Sequence, residues 1–211
     1  MRLRKIKNAQ EKLLDFPGLV IQEPQQYLGK WEEIFGNDNE IYLEIGMGKG
    51  KFITLNAHLN PNINYLGLEL SDSMVLKAAR EIRFKNLKNL KLVNYDATNL
   101  RDLFTTNSIS RIFLNFSDPW PKTRHEKRRL TSSYYLELYK YILVAGGIIE
   151  MKTDNRRLFE YSLLKFNEHA FKFLDVNLNL HETENSDIIT TEYEEKFKSV
   201  NNTIFYMKVK K

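Results

Sequence analysis

Hydrophobic and polar residues alternate along most of this chain in a pattern of short strands and amphipathic helices. Apolar runs rich in Ile, Leu, Val, Phe and Tyr predict seven strands, at residues 41–45, 63–70, 90–95, 109–114, 148–152, 171–178 and 203–209. Helical patterns lie between most of them, at residues 52–57, 71–85, 100–104, 134–143 and 156–166. Strands that alternate with helices form a mainly parallel sheet with helices on both faces. The last two strands lack a full helix between them, so we expect an antiparallel pair at or near one edge.

Residues 1–36 do not follow this alternation of strands and helices. They comprise a basic arm, a proline-bearing stretch that ends at Pro24, and a segment at 27–35 that we expect to be helical. We therefore predict an N-terminal arm and helical extension over residues 1–36 and one α/β domain over residues 37–211. Within that domain, the Ala-Gly-Gly segment at 145–147 is predicted to separate a helix from the fifth strand.

Basic residues are concentrated in two short segments of a chain whose net charge is +5. Residues 1–7 carry four basic residues and no acidic one, and residues 122–129 carry five basic residues and one acidic residue. Each segment therefore has a net charge of +4, and the rest of the chain is mildly acidic. Two cationic patches on an acidic body are typical of a protein that binds nucleic acid. A basic run is also a common form of solvated surface.

The composition excludes several classes of chemistry. The 211 residues include no cysteine, which excludes disulfides, thiolate metal sites, iron–sulfur clusters and a cysteine nucleophile. The four histidines are scattered without metal-ligand spacing, so we expect no metal. No apolar run is long enough to span a bilayer, and the N-terminus lacks the apolar stretch of a secretory signal. We therefore expect a cytoplasmic protein without a membrane partner, for which monomer and homodimer both remain open.

The first predicted strand ends in a glycine-rich turn. Gly46, Gly48 and Gly50 alternate with other residues, which allows a tight turn and the close approach of a ligand. Their G-x-G-x-G spacing differs from the G-x-G-x-x-G of dinucleotide-binding proteins. Glu44, two residues before the first glycine, would repel a pyrophosphate and suits a cationic ligand such as an ammonium or a sulfonium.

The next three predicted strands also end beside acidic residues. Glu69 lies at the end of the second strand, Asp96 follows the third and Asp118 follows the fourth. The carboxyl ends of parallel strands share one edge of the sheet, where ligands bind and where a carboxylate can accept hydrogen bonds from ribose hydroxyls. Four carboxylates at one edge suit S-adenosyl-L-methionine, because its ribose diol, adenine amine, ammonium and sulfonium are all donors or cations.

The most informative segment follows the fourth predicted strand and runs DPWPKTRHEKRRL from residue 118 to residue 130. Two prolines stiffen a turn around one carboxylate and one indole, and a basic run follows. This segment and the TEYE sequence at 191–194 resemble the bacterial tRNA (guanine-N7-)-methyltransferases, a family with the seven-stranded, Rossmann-like class I methyltransferase fold. The resemblance extends over about residues 42–207, and the glycine motif within it is shared with methyltransferases in general.

The resemblance implies S-adenosyl-L-methionine as cofactor, tRNA as partner, and N7 of guanosine 46 in the tRNA variable loop as methyl acceptor. Its implied catalytic residue is Asp118. The implied cofactor-binding residues are Glu44, Gly46, Gly48, Gly50, Glu69, Asp96, Ala97 and Asp118. The implied substrate contacts are Lys122, Asp154, Thr191, Glu192, Tyr193 and Glu194. The implied RNA contacts are Arg124, His125, Glu126, Lys127, Arg128 and Arg129. Glu192 stands where some members of the family have lysine, so its own contribution is open.

Methylation of guanine N7 makes modest chemical demands on these residues. N7 has an exposed lone pair and no proton to lose, so no strong general base is required. Asp118, at a strand end, is suited to stabilise the positive charge that forms on the imidazole ring. Trp120 has two interpretations, since its ring can stack on a base or pack in the core. For His125 we favour RNA contact over a general-base role.

Other classes of function are distinguished by the same residues. Amino-methyltransferases that act on adenine N6 or cytosine N4 resemble this chain at Asp118-Pro119, but they usually continue with a second proline and an aromatic residue. A non-catalytic RNA-binding module would explain the basic segments and leave the strand-end carboxylates unexplained. A nicotinamide oxidoreductase is disfavoured by the glycine spacing and by Glu44.

Overall fold

The structure, a computed structural model, describes residues 5–180 and 203–211. The implied substrate contacts at Thr191, Glu192, Tyr193 and Glu194 lie outside the described residues. In the part of the chain that is described, no helix is both long and apolar enough to cross a bilayer.

The described strands form one mixed sheet. They are β1 Ile41–Ile45, β2 Asn64–Glu69, β3 Leu90–Asn94, β4 Ile109–Asn115, β5 Leu143–Thr153, β6 Lys172–Asn177 and β7 Phe205–Lys210. Their order in the sheet is β3-β2-β1-β4-β5-β7-β6. The pairs β1–β2, β2–β3 and β4–β5 are parallel, whereas β7 is antiparallel to both β5 and β6. The predicted seven-stranded, mainly parallel sheet with an antiparallel C-terminal pair at one edge is confirmed.

Helical segments connect most of these strands. The α-helices are α1 Ala9–Leu13, α2 Trp31–Phe35, α3 Lys51–Leu59, α4 Asp72–Ile82, α5 Ser133–Ile142 and α6 Arg156–Glu168. Shorter 3₁₀ segments occupy Pro24–Tyr27, Arg83–Lys85, Ala97–Asp102 and Thr123–Arg128. The helix predicted at 100–104 is thus a 3₁₀ segment that begins earlier, because Asp96 caps it by accepting a hydrogen bond from Thr98 N.

The predicted break at residues 145–147 is wrong, because β5 runs through it. The strand begins at Leu143, directly after α5. Its register against β4 jumps from Leu143 to Ile148, and Gly146 within the irregularity has a φ of 77°. Glycine at positive φ is the usual means of inserting extra residues into a strand as a bulge. The two glycines therefore bend one long strand and do not separate two elements.

Residues 1–103 form one compact unit, and its described part carries β1, β2 and β3. Buried aliphatic side chains from these strands and from α3 and α4 form its core. The N-terminal segment packs on this unit, since α1 lies against α4 and Val20 forms a β-bridge with Leu92. The buried indole of Trp31 donates to the carbonyl of Leu103 at 2.8 Å, which satisfies its polar edge.

The described residues from 104 onward form a second compact unit, which carries β4 to β7. Helix α6 packs on β5 and β7, where Phe159 stacks on Phe205 with ring centroids 5.1 Å apart. Leu158 and Phe166 of the same helix are also buried, whereas Leu164 is exposed. The burial of this face holds α6 firmly against the sheet.

Candidate active site

Three of the predicted strand-end acids lie at one edge of the first unit. Glu44 is the fourth residue of β1, Glu69 is the last residue of β2, and Asp96 follows β3 by two residues. The parallel pairing of these strands places all three at their carboxyl ends. Glu44 is only 2% exposed, whereas Asp96 is exposed. A carboxylate at the position of Glu44, near the ligand-binding edge of the sheet, suits a positively charged ligand group.

The carboxylate of Glu69 joins two loops of this edge. Its Oε2 accepts a hydrogen bond from Gly48 N at 3.1 Å, and its Oε1 accepts one from Ser71 N at 2.9 Å. Gly46 N in turn donates to the carbonyl of Leu68 at 2.8 Å. The glycine turn after β1 is therefore held against the end of β2. Glu69 thus has a structural role that its sequence position alone does not reveal.

Two glycines of this unit lie where a Cβ would come close to a neighbouring side chain. Gly50 has a φ of 73°, and a Cβ there would lie 3.0 Å from Ile82 Cδ1. A Cβ on Gly67 would lie 2.4 Å from the sulfur of Met47. Gly67 therefore leaves room for the buried Met47 side chain beneath the turn. Sequence reasoning missed Gly67, although a glycine inside an apolar strand often marks such a close approach.

The third acidic position combines an exposed carboxylate with a buried small residue. Asp96 Oδ1 accepts a hydrogen bond from Thr98 N at 2.8 Å, which fixes the carboxylate at the start of the 3₁₀ segment. Ala97 beside it is 7% exposed. A fixed carboxylate next to a small apolar surface is suited to bind the edge and the face of a purine ring.

The carboxylate acceptors of this edge fit S-adenosyl-L-methionine. Glu44 offers a buried negative charge to an ammonium or sulfonium, and Glu69 offers acceptors to a ribose diol. A carboxylate has about four lone-pair positions, so accepting from Gly48 N and Ser71 N does not by itself use the full acceptor capacity of Glu69. Within residues 5–180 and 203–211, no group of three or more His, Asp or Glu side chains could hold a metal ion.

The second unit carries the strained turn that follows β4. Phe116 has a φ of 50° and Trp120 a φ of 41°, both in the left-handed region. Phe116 N donates to the carbonyl of Lys152 at 2.8 Å, which fixes the start of the turn against β5. Asp118 lies between these two residues and is exposed. Left-handed conformations of bulky residues persist only where the surrounding structure enforces them, and they cluster at functional sites.

The ring of Trp120 packs against its own loop and not in the hydrophobic core. The side chain is half-buried. The guanidinium of Arg128 lies 4.8 Å from the ring centroid, and the ring of His125 meets it edge-on at 5.6 Å. The core-packing interpretation of Trp120 is therefore wrong. The tight turn between two prolines keeps the indole at the surface, where its neighbours are His125 and Arg128 of the segment that follows it.

The basic run divides into residues that are exposed and residues that are half-buried. Lys122, Arg124, Lys127 and Arg128 are exposed, whereas His125, Glu126 and Arg129 are half-buried. Arg129 donates from Nε and Nη2 to the carbonyl of Trp120 at 3.3 and 3.1 Å. Its guanidinium also lies 4.3 Å from the ring centroid of Tyr161, whose hydroxyl donates to Glu126 Oε1 at 2.8 Å. No sequence motif pointed to Tyr161, which lies in the middle of α6.

Asp154 lies at the corresponding end of the neighbouring strand. It directly follows β5, which is parallel to β4, so Asp118 and Asp154 both lie at the carboxyl edge of the second unit. Asp154 is exposed, while Thr153 before it is buried and accepts from Asn155 N at 3.1 Å. Asn155 caps α6 by accepting from Leu158 N at 2.9 Å. The exposed acid is therefore presented from a rigid strand-to-helix connection.

Comparison with known proteins identifies the family. A family model described as a putative methyltransferase matches residues 38–207. The tRNA (guanine-N(7)-)-methyltransferase of Geobacillus sp. (strain WCH70) is 49% identical over 210 residues, which cover 100% of this chain and 96% of that protein. The enzyme of the same name from Bacillus subtilis (strain 168) is 46% identical over 99% of this chain and 98% of its own length.

A solved structure supports the fold independently. The crystal structure of the 16S rRNA methyltransferase KamB superposes with a TM-score of 0.65 at 14% identity, over 86% of this chain and 92% of that one. The likeness confirms the Rossmann-like methyltransferase fold. The full-length sequence relatives and the family model show that the chain belongs to the bacterial tRNA (guanine-N7-)-methyltransferase family.

Proposed function

We propose that this protein transfers the methyl group of S-adenosyl-L-methionine to N7 of guanosine in tRNA. The observation that carries the proposal is the 118–130 segment, in which an exposed carboxylate at a strand end is followed directly by exposed cations. The names of relatives that match over the full chain support the same reaction. The predicted acceptor is guanosine 46 of the variable loop, and a tRNA substrate agrees with the cytoplasmic location expected from the sequence.

The chain's main contribution to catalysis is alignment. The cofactor supplies an electrophilic methyl group, and N7 attacks with a lone pair that carries no proton. Holding two reactants in a near-attack arrangement can contribute about 7–11 kcal/mol at best. Rigid elements at the strand ends serve this purpose, because the glycine turn is bonded to Glu69 and the Asp118 turn is bonded to β5.

Asp118 acts electrostatically in this proposal. Methylation leaves a positive charge on the guanine imidazole ring, and a carboxylate held by a strained turn is suited to stabilise it. In the first unit, Glu44 compensates the positive groups of the cofactor, Glu69 accepts its ribose hydroxyls, and Asp96 with Ala97 binds its adenine. Lys122, in the segment after β4, and Asp154, directly after β5, are both exposed and contact the tRNA substrate. The same role is proposed for Thr191, Glu192, Tyr193 and Glu194.

The identity of the product tests the proposal directly. Purified protein is incubated with unmodified tRNA and labelled cofactor, and the tRNA is digested to nucleosides and analysed by mass spectrometry. We expect N7-methylguanosine, absent when the tRNA carries adenosine at position 46. Methylated adenosine or cytidine as the sole product would instead support the amino-methyltransferase alternative. Binding of tRNA without any methylated product would support a non-catalytic RNA-binding module.

Exposed cations of the basic run should bind tRNA phosphates without reading sequence. Each phosphate contact contributes about 0.7–0.9 to the slope of log affinity against log salt concentration. We expect Arg124→Ala combined with Lys127→Ala to weaken tRNA binding and to lower that slope by about 1.5. The matched control removes two exposed lysines of the same unit, Lys172→Ala with Lys210→Ala, and leaves the slope unchanged. Equal slopes in the two double variants would exclude direct phosphate contacts by Arg124 and Lys127.

A further inference from the structure

The backbone of the Asp118 turn needs support from outside the turn. Trp120 adopts a φ of 41°, which is unfavourable for a bulky side chain, and it lies between two prolines that lack backbone donors. Such a conformation is maintained only where neighbouring groups enforce it. The start of the turn is held by the hydrogen bond from Phe116 N to the Lys152 carbonyl, and the carbonyl of Trp120 is a second point at which other residues of the second unit hold it.

Arg129 donates hydrogen bonds to this carbonyl from two nitrogens. Nε donates at 3.3 Å and Nη2 at 3.1 Å, so a single rigid guanidinium fixes the direction of the Trp120 carbonyl. Arginine is suited to this task because its planar fork presents several donors in one geometry, which lysine cannot reproduce. The side chain is half-buried, unlike the exposed Arg124 and Lys127 of the same run.

Tyr161 in turn contacts Arg129 and Glu126, which lies in the middle of the basic run. Its ring lies 4.3 Å from the Arg129 guanidinium, a typical cation–π distance, and its hydroxyl donates to Glu126 Oε1 at 2.8 Å. Burial, reinforced by Glu126, raises the pKa of Tyr161 above its usual value, so the hydroxyl remains protonated and acts as the donor. The backbone N of Arg129 also donates to the carbonyl of Glu126 at 3.0 Å, which closes the network.

The network is anchored on a rigid helix. Thr131 and Ser162 form a buried hydrogen bond of 2.7 Å between their hydroxyls, which is a second connection from the end of the basic run to α6. The helix is also held by the stacking of Phe159 on Phe205 of β7. The Trp120 carbonyl is thus connected to the sheet through Arg129, Tyr161 and α6.

We propose that Arg129 and Tyr161 are positioning residues for methyl transfer. Arg129, held by Tyr161, keeps the backbone of the Asp118 turn in its conformation through its hydrogen bonds to the Trp120 carbonyl, and neither residue binds tRNA phosphates. The proposal rests on the proposed function, because it assigns these residues to the geometry of that reaction. It separates Arg129, for which sequence resemblance implied RNA contact, from the exposed cations of the same run.

Charge-preserving substitutions test this division of roles. Arg129→Lys keeps the positive charge but loses the two-nitrogen grip. We expect it to lower kcat by about tenfold or more, since small misplacement of reacting groups is costly, while the tRNA Kd and its salt slope stay within about twofold. Tyr161→Leu, which removes the ring, should reproduce the loss of kcat. Tyr161→Phe, which keeps the ring, should lose less. Arg80→Lys and Tyr134→Phe, both at exposed positions, are the matched controls.

A readout independent of turnover separates this proposal from the proposed function. The emission of Trp120, obtained as the difference between each protein and its Trp120→Phe counterpart, should change in Arg129→Lys and remain constant in Arg80→Lys. If wild-type protein forms no N7-methylguanosine, the proposed function fails, whereas the emission still tests the Trp120–Arg129 contact. The positioning role is overturned if folded Arg129→Lys keeps both its kcat and its Trp120 emission. It is also overturned if Arg129→Lys keeps its kcat while its tRNA affinity depends less steeply on salt. If Arg129→Lys does not fold, the two Tyr161 variants decide the question by the same measurements.

Discussion

Asp118→Ala should lower kcat by about 10²–10³-fold and leave the tRNA Kd within about threefold, because loss of one well-placed electrostatic group costs about 2.7–4 kcal/mol in the transition state. Asp118 is exposed at the carboxyl end of β4 and is held between the strained residues Phe116 and Trp120. In the proposed mechanism its charge acts mainly once positive charge develops on the methylated guanine. The measurement is single-turnover methylation at saturating tRNA and cofactor, beside equilibrium tRNA binding.

A control variant and a conservative variant show whether the loss of kcat comes from the charge of Asp118. Asp175→Ala removes an exposed carboxylate from β6 of the same unit and should leave kcat unchanged. Asp118→Asn keeps the shape of the side chain without the charge, so it should lose nearly as much turnover as Asp118→Ala. A fall in tRNA affinity with full turnover at saturation would show that Asp118 binds substrate and does not contribute to the chemical step.

Glu69→Ala should weaken cofactor binding by about 100-fold, measured by calorimetry on the protein alone. Hydrogen bonds to a charged group contribute about 1.5–3 kcal/mol each, and each 1.4 kcal/mol changes an affinity about tenfold. The substitution removes the acceptors proposed for the ribose diol, and it also releases Gly48 N and Ser71 N from the carboxylate. Both losses act in the same direction, because the glycine turn is no longer held at the end of β2.

The design of the Glu69 experiment separates these two losses. Glu69→Gln keeps one side-chain acceptor and should bind the cofactor with intermediate affinity. Glu81→Ala, which removes an exposed acid from α4 of the same unit, should bind it normally. Normal cofactor affinity in Glu69→Ala would contradict the assignment of Glu69 to the cofactor site.

The elements of the sheet could be predicted closely, whereas irregular backbone could not. The apolar run at 41–45 and the helical spacing at 156–166 correspond to β1 and to most of α6. The bulge that carries β5 through Gly146 was missed, because glycines in sequence indicate either a break or a bend. Only the pairing of β5 with its neighbour decides between the two.

The candidate site shows the same division between residue identity and residue role. The acids Glu44, Glu69 and Asp96 were predictable as a group, because parallel strands bring their carboxyl ends to one edge. That Glu69 also fastens the glycine turn was not predictable, since the bond joins residues 21 positions apart in the chain. Tyr161 was not found at all, because its contact with Glu126 spans 35 positions and carries no local signature.

By itself, the sequence determined the alternation of strands and helices, the acidic strand ends, the basic run and, through its motifs, the family. These properties depend on the order of neighbouring residues, which periodicity and local composition record. Only the tertiary structure decided which cations of the basic run are exposed. It alone showed that Arg129 donates to the Trp120 carbonyl while its guanidinium packs on the ring of Tyr161. Residues of one charge in one segment look alike in sequence, and they acquire different roles only when distant elements pack against some of them and leave the others in solvent.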